Sequence, residues 1–186
     1  VSKSNSEKEE YFDVNVNGTR NLIEALNETS SNNKFFIFSS SACIYGKPIY
    51  LPYDEIHDLK PENYYGKTKL QSELILKDAY QNHKDWKIVV LRYFNPIGSH
   101  NSYLIGDDPV GSPENLMPNI VNAVNSNETN LKIFGSDHDT FDGTPVRDYI
   151  HVEDLIEGHV LALNFLKSSK KNIYEIFNLG TGEAVS

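Results

Sequence analysis

The stretch WKIVVLRYFN, residues 86–95, decides the fold, because it is a short apolar run that closes with aromatic and amide side chains. Such a run is typical of a strand buried on both faces of a parallel sheet. The stretch KFFIFSSS (34–41) has the same character and ends in three hydroxyls, and NIYEIFNLGTG (172–182) predicts a third strand followed by a turn. Because helical segments separate these runs, the sequence predicts an α/β protein with a parallel sheet.

Apolar residues at helical spacing predict two helices in the first half of the chain. A helix over 11–28 is amphipathic, with apolar residues at Val16, Leu22, Ile23 and Leu26. A helix from about residue 64 to 81 repeats three residues along one side, namely Leu70, Leu74 and Lys77.

The second half of the chain predicts shorter elements. Segments 115–125 and 153–169 are predicted helices, and the first is expected to turn four residues inward: Met117, Ile120, Val121 and Val124. A short strand is predicted at 131–135 and an extended segment at 147–152. The region 96–114 is predicted to be a long loop, and loops of that length are usually functional.

Composition and charge exclude several classes of partner. The chain has a net charge of −9 with Lys and Arg scattered, whereas nucleic-acid binding needs clustered basic residues. No apolar run approaches the ~20 residues that span a bilayer. The single cysteine, Cys43, excludes an internal disulfide and suits a reducing compartment. We therefore expect a cytoplasmic protein that binds neither nucleic acid nor membrane.

The ends of the predicted strands indicate where to look for a site. In parallel α/β sheets, ligands bind beyond the carboxyl ends of the strands. Three segments fall there: SSS at 39–41, YFN at 93–95 and NLGTG at 178–182. The sequence contains no G-x-G-x-x-G motif. If the fold binds a dinucleotide, its phosphate-binding unit is therefore expected upstream of Val1.

The stretch NYYGKTK, residues 63–69, holds a candidate for proton transfer. Tyr65 and Lys69 are four residues apart, so they share one face of the predicted helix. A nearby ammonium lowers the pKa of a phenol and makes it a usable general base. Tyr64 has Thr68 at the same spacing, so spacing favours Tyr65. Taken alone, a packed tyrosine beside a solvated lysine is the simpler interpretation.

Three serines, at positions 39–41, favour the catalytic interpretation of Tyr65 and Lys69. They follow a buried strand, and a parallel sheet would deliver them to the same rim as the start of the helix. A hydroxyl there can hydrogen-bond a substrate oxygen and relay its proton to Tyr65. Serines that merely cap the sheet are an equally good interpretation of this segment by itself.

Six motifs in register carry a family resemblance: FSSSACIYG, YYGKTK, LRYFNPIGSH, GDDPVGSPENLMP, IFGSDHDTFDGTPVRDYIHVEDL and NLGTG. Together they resemble the extended short-chain dehydrogenase/reductase family, and within it the branch that epimerises UDP-hexoses. The resemblance implies a Rossmann-like doubly wound parallel sheet, incomplete because its N-terminal unit is missing, with part of a smaller substrate-binding domain. Residues 1–95 would be the C-terminal part of the NAD-binding domain. Residues 96–186 would mainly form the sugar-nucleotide-binding region, with segments that return to the sheet.

The resemblance also implies roles for single residues. Tyr65 matches the general base, Lys69 matches the lysine that binds the nicotinamide ribose and lowers the tyrosine pKa, and Ser41 matches the hydroxyl that contacts the sugar. The implied cofactor-binding residues are Asn15, Ser41, Tyr65, Lys69 and Phe94. The implied substrate-binding residues are Ser41, Asn95, Asn115, Leu116, Lys132, Ile133, Phe134 and Arg147.

The implied activity is the reversible epimerisation of UDP-glucose and UDP-galactose at carbon 4 through a 4-keto intermediate, a step of galactose metabolism. NAD is the implied cofactor, a UDP-hexose is the substrate, and the full-length protein is expected to be a homodimer. The chain is expected to be an internal fragment that is inactive and does not retain NAD by itself.

Two alternatives stay open. Dehydratases and decarboxylases of nucleotide sugars resemble these enzymes but place acidic residues after the strand-end hydroxyl, where this chain has Ala42 and Cys43. A non-catalytic protein that binds NAD or a nucleotide sugar would usually lack the tyrosine or the lysine, and both are present. The histidines show no metal-ligand spacing, so no metal is predicted.

Overall fold

Two units divide the chain. The structure, a computed structural model, describes residues 2–31, 33–107, 109, 111, 113, 115–126, 131–133 and 135–186. Unit 1 comprises Val1–Phe94 and Glu157–Leu179, and unit 2 comprises Asn95–Ile156 and Gly180–Ser186. The functional division at residue 95 stays a prediction, because contacts within each unit do not tell what that unit binds.

Helices and strands alternate along the described part of the chain. The helices are α1 (Lys8–Phe12), α2 (Gly18–Asn27), α3 (Tyr64–Asn82), α4 (Leu116–Asn125) and α5 (Val152–Ser168). The strands are β1 (Lys34–Ser41), β2 (Trp86–Tyr93), β3 (Asn95–Ile97), β4 (Arg147–His151), β5 (Ile173–Leu179) and β6 (Ala184–Val185). Two short 3-10 turns cover Ser2–Asn5 and Ala42–Ile44, and a π turn covers Asp13–Asn17.

Unit 1 is built on a parallel sheet with the strand order β1-β2-β5. Ser41 pairs in register with Tyr93, and Tyr93 pairs with Leu179, so the three strands end at one edge of the sheet. The three strands predicted from apolar runs are confirmed, and so is the parallel α/β architecture. The serines at 39–41 therefore lie beside the end of β2, at the same edge of the sheet as the end of β5.

Strand β2 is buried on both faces, because helices cover each side of the sheet. One face belongs to a core cluster of Ile23, Phe38, Leu76, Ala79, Trp86, Ile88 and Val90. The other face belongs to a cluster of Val89, Leu91, Ala162 and Leu166. Side chains alternate between the two faces with the period of two that a strand imposes. Each such side chain contributes about 1.5–3 kcal/mol when it is fully buried, so β2 is the centre of the core.

The first helix is continuous but irregular, because the π turn joins α1 directly to α2. Val16 and Ile23 lie in the core, as the amphipathic pattern predicts. Leu22 does not, since 56% of it is exposed. Successive helical residues are about 100° apart, so Leu22 lies on the face beside the one that Val16 and Ile23 share.

The side of α3 that carries Leu74 and Lys77 faces away from the core. Leu74 is 57% exposed, and Lys77 is exposed as well. The buried residues are instead Gly66, Thr68, Ser72, Glu73, Leu76 and Ala79. Polar side chains remain in the core only when they are hydrogen-bonded, and the three polar residues of this face each have a partner there.

Unit 2 contains a small mixed sheet. Strand β3 pairs with β4 in parallel, and β6 pairs with β4 in the antiparallel sense. The predicted strand at 131–135 is wrong for its described residues, 131–133 and 135, which form no ladder; both edges of β4 are already paired. The predicted inward positions Val121 and Val124 of α4 are 50% and 71% exposed, and Pro118 is the buried residue.

Candidate active site

The first turn of α3 fixes the position of Tyr65. Asn63 caps the helix, since its side-chain oxygen accepts the Gly66 N–H at 2.7 Å, which satisfies one of the amides that lack partners at a helix start. Gly66 lies so near the turn after β1 that a Cβ would stand 2.7 Å from the Cys43 carbonyl oxygen. Only glycine fits there, so Tyr65 is held close to the segment that follows Ser41.

The structure brings Tyr65 and Ser41 together. Ser41 lies close enough to lower the pKa of the Tyr65 phenol, and the Ser41 hydroxyl accepts the Cys43 N–H at 3.2 Å. The ring of Tyr11 packs edge-on against Tyr65, with 6.3 Å between centroids and an angle of 85° between planes. This contact restrains the ring of Tyr65.

Lys69 lies one turn further along α3, on the same side as Tyr65. Its Nζ is 5.6 Å from the Tyr65 ring centroid and 5.1 Å from that of Phe38. The ammonium donates to the Ser39 carbonyl oxygen at 3.0 Å. Burial lowers the pKa of Lys69, because removal from water disfavours the charged form.

The pKa of Tyr65 is raised to about 12, and the largest cause is burial. The nearby Cys43 raises this pKa further, while Ser41 acts in the opposite direction. The Lys69 ammonium lies beside the Tyr65 ring and donates to a backbone carbonyl. That Lys69 lowers the Tyr65 pKa stays a prediction.

A second polar cluster, the Glu73–Arg92 pair with Ser40, joins α3 to strands β2 and β1. Arg92 binds Glu73 through Nη2–Oε2 at 2.7 Å and Nε–Oε1 at 3.1 Å, and the Ser40 hydroxyl donates to the same carboxylate. Both charged side chains are at most 4% exposed. We did not predict this cluster, although an arginine inside the apolar run 86–95 signals a buried partner. The Ser40 hydroxyl is thus bound to Glu73, whereas Ser41 lies near Tyr65.

The two cofactor residues implied outside this group lie in different places. Asn15 belongs to the π turn, and its Nδ2 donates to the Thr68 hydroxyl at 3.0 Å. Asn15 and Lys69 line the same cavity of about 490 Å³. Phe94 follows β2, where its N–H donates to the Leu179 carbonyl at 3.1 Å and its ring lies 6.2 Å from that of Tyr53.

The other substrate residues implied by the resemblance lie in unit 2. Asn95 begins β3, and its Nδ2 donates to the Asp148 carbonyl at 3.0 Å. Arg147 begins β4 with an exposed side chain, whose Nη1 donates to the Val146 carbonyl at 2.8 Å. Four further residues are exposed: Asn115, Leu116, Lys132 and Ile133. Phe134 lies outside the described residues.

The described residues contain neither a metal-binding cluster nor a membrane-spanning helix. No group of three or more His, Cys, Asp or Glu side chains could hold a metal ion in that part of the chain. Within the same residues, no helix is both long and apolar enough to cross a membrane.

Comparisons of sequence place the chain among known proteins. The profile of the NAD dependent epimerase/dehydratase family matches residues 1–180. UDP-glucose 4-epimerase 2 of Oryza sativa subsp. japonica is 48% identical over 176 residues, which cover 95% of this chain and 43% of that protein. The UDP-glucose 4-epimerase of Bos taurus is 46% identical over 187 residues, which cover 100% of this chain and 53% of that protein. The chain spans about half the length of the curated relatives it matches.

Solved structures agree with the sequence comparison. The UDP-glucose-4-epimerase from Stenotrophomonas maltophila with bound NAD and formylated UDP-arabinopyranose matches with a TM-score of 0.92 at 41% identity, over 100% of this chain and 54% of that one. The enzyme from Bifidobacterium longum in complex with NAD⁺ and UDP matches with a TM-score of 0.89 at 43% identity, over 99% and 54%. The predicted Rossmann-like α/β fold is thereby confirmed.

Proposed function

We propose, because the chain belongs to the NAD dependent epimerase/dehydratase family, that the protein interconverts UDP-glucose and UDP-galactose by NAD-dependent epimerisation at carbon 4. Relatives named UDP-glucose 4-epimerase support this proposal, as does a similar solved structure in complex with NAD⁺ and UDP. The observation that carries it is the proximity of Tyr65 to Ser41, with the Lys69 ammonium 5.6 Å from the centroid of the Tyr65 ring.

In this proposal, three residues act on the sugar. Tyr65 takes the proton of the C4 hydroxyl, directly or through Ser41, and gives it back after the 4-keto sugar has turned over. Ser41 hydrogen-bonds the oxygen at carbon 4, because its hydroxyl can donate as well as accept. Lys69 supplies a positive charge beside Tyr65 and a donor for a ribose hydroxyl.

The residues around the cavity of about 490 Å³ fit a dinucleotide. Lys69 and Asn15 provide donors for ribose hydroxyls, and Phe38 provides an apolar wall. Bound NAD would accept the hydride of carbon 4 and return it, and its positive charge would favour the Tyr65 phenolate. The proposed cofactor residues are those implied by the resemblance: Asn15, Ser41, Tyr65, Lys69 and Phe94.

Unit 2 is proposed to hold the UDP part of the substrate. The exposed Arg147 guanidinium can bind a diphosphate through two parallel hydrogen bonds. Asn95 can donate to a phosphate oxygen. The remaining proposed contacts are Asn115, Leu116, Lys132, Ile133 and Phe134. A firmly held UDP leaves the hexose able to rotate, which the return of hydride to the opposite face requires.

The decisive variant is Tyr65→Phe in the full-length protein. We expect kcat for UDP-galactose to fall by about 10²–10⁴-fold, the usual contribution of a positioned general base. The matched control is Tyr64→Phe, which removes the neighbouring hydroxyl and should stay within about twofold of wild type. Unchanged activity of Tyr65→Phe, or equal losses in both variants, would show that Tyr65 is not the base.

The same assay separates the alternatives. A nucleotide-sugar dehydratase or decarboxylase would release water or carbon dioxide, whereas an epimerase gives only the other UDP-hexose. The 3-10 turn after Ser41 begins with Ala42 and Cys43, which offer no carboxylate for dehydration. A non-catalytic member of the fold would bind NAD without any turnover. Proton NMR of the products distinguishes the three outcomes.

We also propose that the full-length protein is a homodimer in the cytoplasm. A groove of about 420 Å³ is lined by residues of α2 and α3, and its apolar residues include Ile23, Leu74 and Ile75. Arg20 and Asp78, with opposite charges, also line it, and such a surface can pair with a second copy of itself. Sedimentation velocity of the full-length protein checks the assembly, and a single species of monomer mass would contradict it.

A further inference from the structure

Two buried hydroxyls of α3, on Thr68 and Ser72, contact the π turn of the first helix. Both residues are 0% exposed. The Thr68 hydroxyl accepts the Asn15 side-chain amide at 3.0 Å and donates to the Tyr65 carbonyl oxygen at 2.8 Å. The Ser72 hydroxyl lies 2.8 Å from the Asn15 carbonyl oxygen and 3.0 Å from that of Thr68. Asn15 is therefore bound to α3 through both its side chain and its backbone.

The π turn is the feature that makes these contacts necessary. A π turn is rare, and it usually occurs as a single insertion within an α-helix at a functional site. It widens the regular ladder of backbone hydrogen bonds, and side chains then complete the pairing. Here the Asn15 carbonyl oxygen accepts the hydroxyls of Thr19, at 2.6 Å, and of Ser72. One partner comes from the same helix and the other from α3.

We propose that Thr68 and Ser72 are positioning residues for the cofactor site, which fix the π turn against α3 and so place Asn15 beside Lys69. This inference rests on the proposed function, which gives Asn15 and Lys69 their contacts with NAD. Both residues line one cavity, but they belong to different helices. Because Thr68 precedes Lys69 directly, its bond to Asn15 couples the two donors across the helix interface.

A purely structural role would have a different signature. If the hydroxyls only filled the core, a valine at position 68 would preserve the packing, and any loss would appear in stability alone. A positioning role requires that the affinity for NAD depends on the hydroxyl itself. The two roles therefore differ in their response to variants that exchange hydroxyl and methyl groups at the same position.

The experiment compares Thr68→Val with Thr68→Ser in the full-length protein. The first variant keeps the shape of the side chain and removes the hydroxyl, and the second keeps the hydroxyl and removes a methyl group. Leaving the Asn15 amide without its partner should weaken NAD binding by about fivefold or more. We expect that loss in Thr68→Val and an affinity within about twofold of wild type in Thr68→Ser, both measured by calorimetric titration with NAD.

Hydrogen exchange provides a second measurement that does not depend on the cofactor. Without NAD, the amides of residues 13–19 should exchange faster in Thr68→Val than in Thr68→Ser, because the π turn loses its anchor. If wild type binds no NAD, the proposed function fails, while the exchange comparison still decides whether Thr68 anchors the turn. Equal exchange in the two variants overturns the inference, and so does equal NAD affinity in variants that bind it. If Thr68→Val does not fold, Ser72→Ala removes the second contact and is compared in the same way.

Discussion

Helix α3 contributes to two polar clusters, the first around Tyr65 and Lys69 and the second formed by the Glu73–Arg92 pair with Ser40. Tyr65, Lys69 and Glu73 follow each other at four-residue spacing, so they lie along one side of the helix. In the second cluster, two hydrogen bonds from Arg92 and one from Ser40 satisfy the Glu73 carboxylate, and burial is almost complete. In the first cluster, Tyr65 and Lys69 are half-buried. Among the described residues, the Ser39 carbonyl is the only hydrogen-bond acceptor of Lys69, although an ammonium has three donors.

This difference separates a structural cluster from one suited to chemistry. A buried pair whose groups satisfy each other holds two elements together and has nothing left for a ligand. A lysine with unused donors, beside a phenol whose pKa burial raises to about 12, gains from a ligand that brings acceptors and positive charge. Each cluster combines α3 side chains with a serine at the end of β1, so the distinction comes from the partners that each side chain finds.

The largest expected effect is on stability and comes from Arg92→Met. Removing the arginine leaves the Glu73 carboxylate buried and uncompensated, which costs about 3–5 kcal/mol. Urea unfolding of the full-length protein measures the change. Adding Glu73→Gln to the variant should recover part of the loss, because the buried charge is then gone. A cost below about 1 kcal/mol would mean that the cluster does not hold the fold.

Lys69→Met is expected to lower turnover strongly and to change stability little. Burial lowers the pKa of Lys69, so the charge is held at a cost and its removal should change the free energy of unfolding by less than about 1 kcal/mol. Epimerase turnover in the full-length protein should nevertheless fall by about tenfold or more, because Tyr65 loses the adjacent positive charge. A large loss of stability with normal turnover would reverse the assignment of the two clusters.

The smallest effect concerns a partly exposed ion pair at the start of the sheet, between Lys34 of β1 and Asp85. The hydrogen bond from Lys34 lowers the pKa of Asp85. The carboxylate therefore stabilises the fold at pH values above its unfolded pKa of about 4, and that stability is lost as the pH falls through the lower folded value. Asp85→Asn should cost at most about 1 kcal/mol at pH 7 and almost nothing at pH 2. Urea unfolding at both values tests this, and equal differences would contradict it.

The sheet was predictable because its strands are continuous apolar runs, and a run such as residues 86–95 has few other interpretations. The inward face of α3 was not predictable in this way, because Thr68, Ser72 and Glu73 occupy it and Leu74 does not. Their partners lie far away in the sequence, so spacing within the helix carries no sign of them. The π turn is likewise invisible to a pattern that assumes a regular helix.

The candidate site shows the same limit. Four-residue spacing placed Tyr65 and Lys69 on one side of α3, and the strand-end rule placed Ser41 near them. Spacing does not tell which way the Lys69 ammonium points, nor how far burial removes the Tyr65 phenol from water. That burial is the largest cause of the raised Tyr65 pKa, and the lowering of this pKa by Lys69 stays a prediction.

The missing side chain of Gly66 has an evolutionary consequence. A Cβ there would meet the Cys43 carbonyl oxygen at 2.7 Å and the Pro61 Cβ at 2.9 Å, so two separate segments exclude it. A lineage that replaced this glycine would regain the geometry only by moving both segments as well. We therefore expect position 66 and the turn after Ser41 to change together. Selection for the proposed chemistry of Tyr65 would then also act on a neighbour that has no functional group.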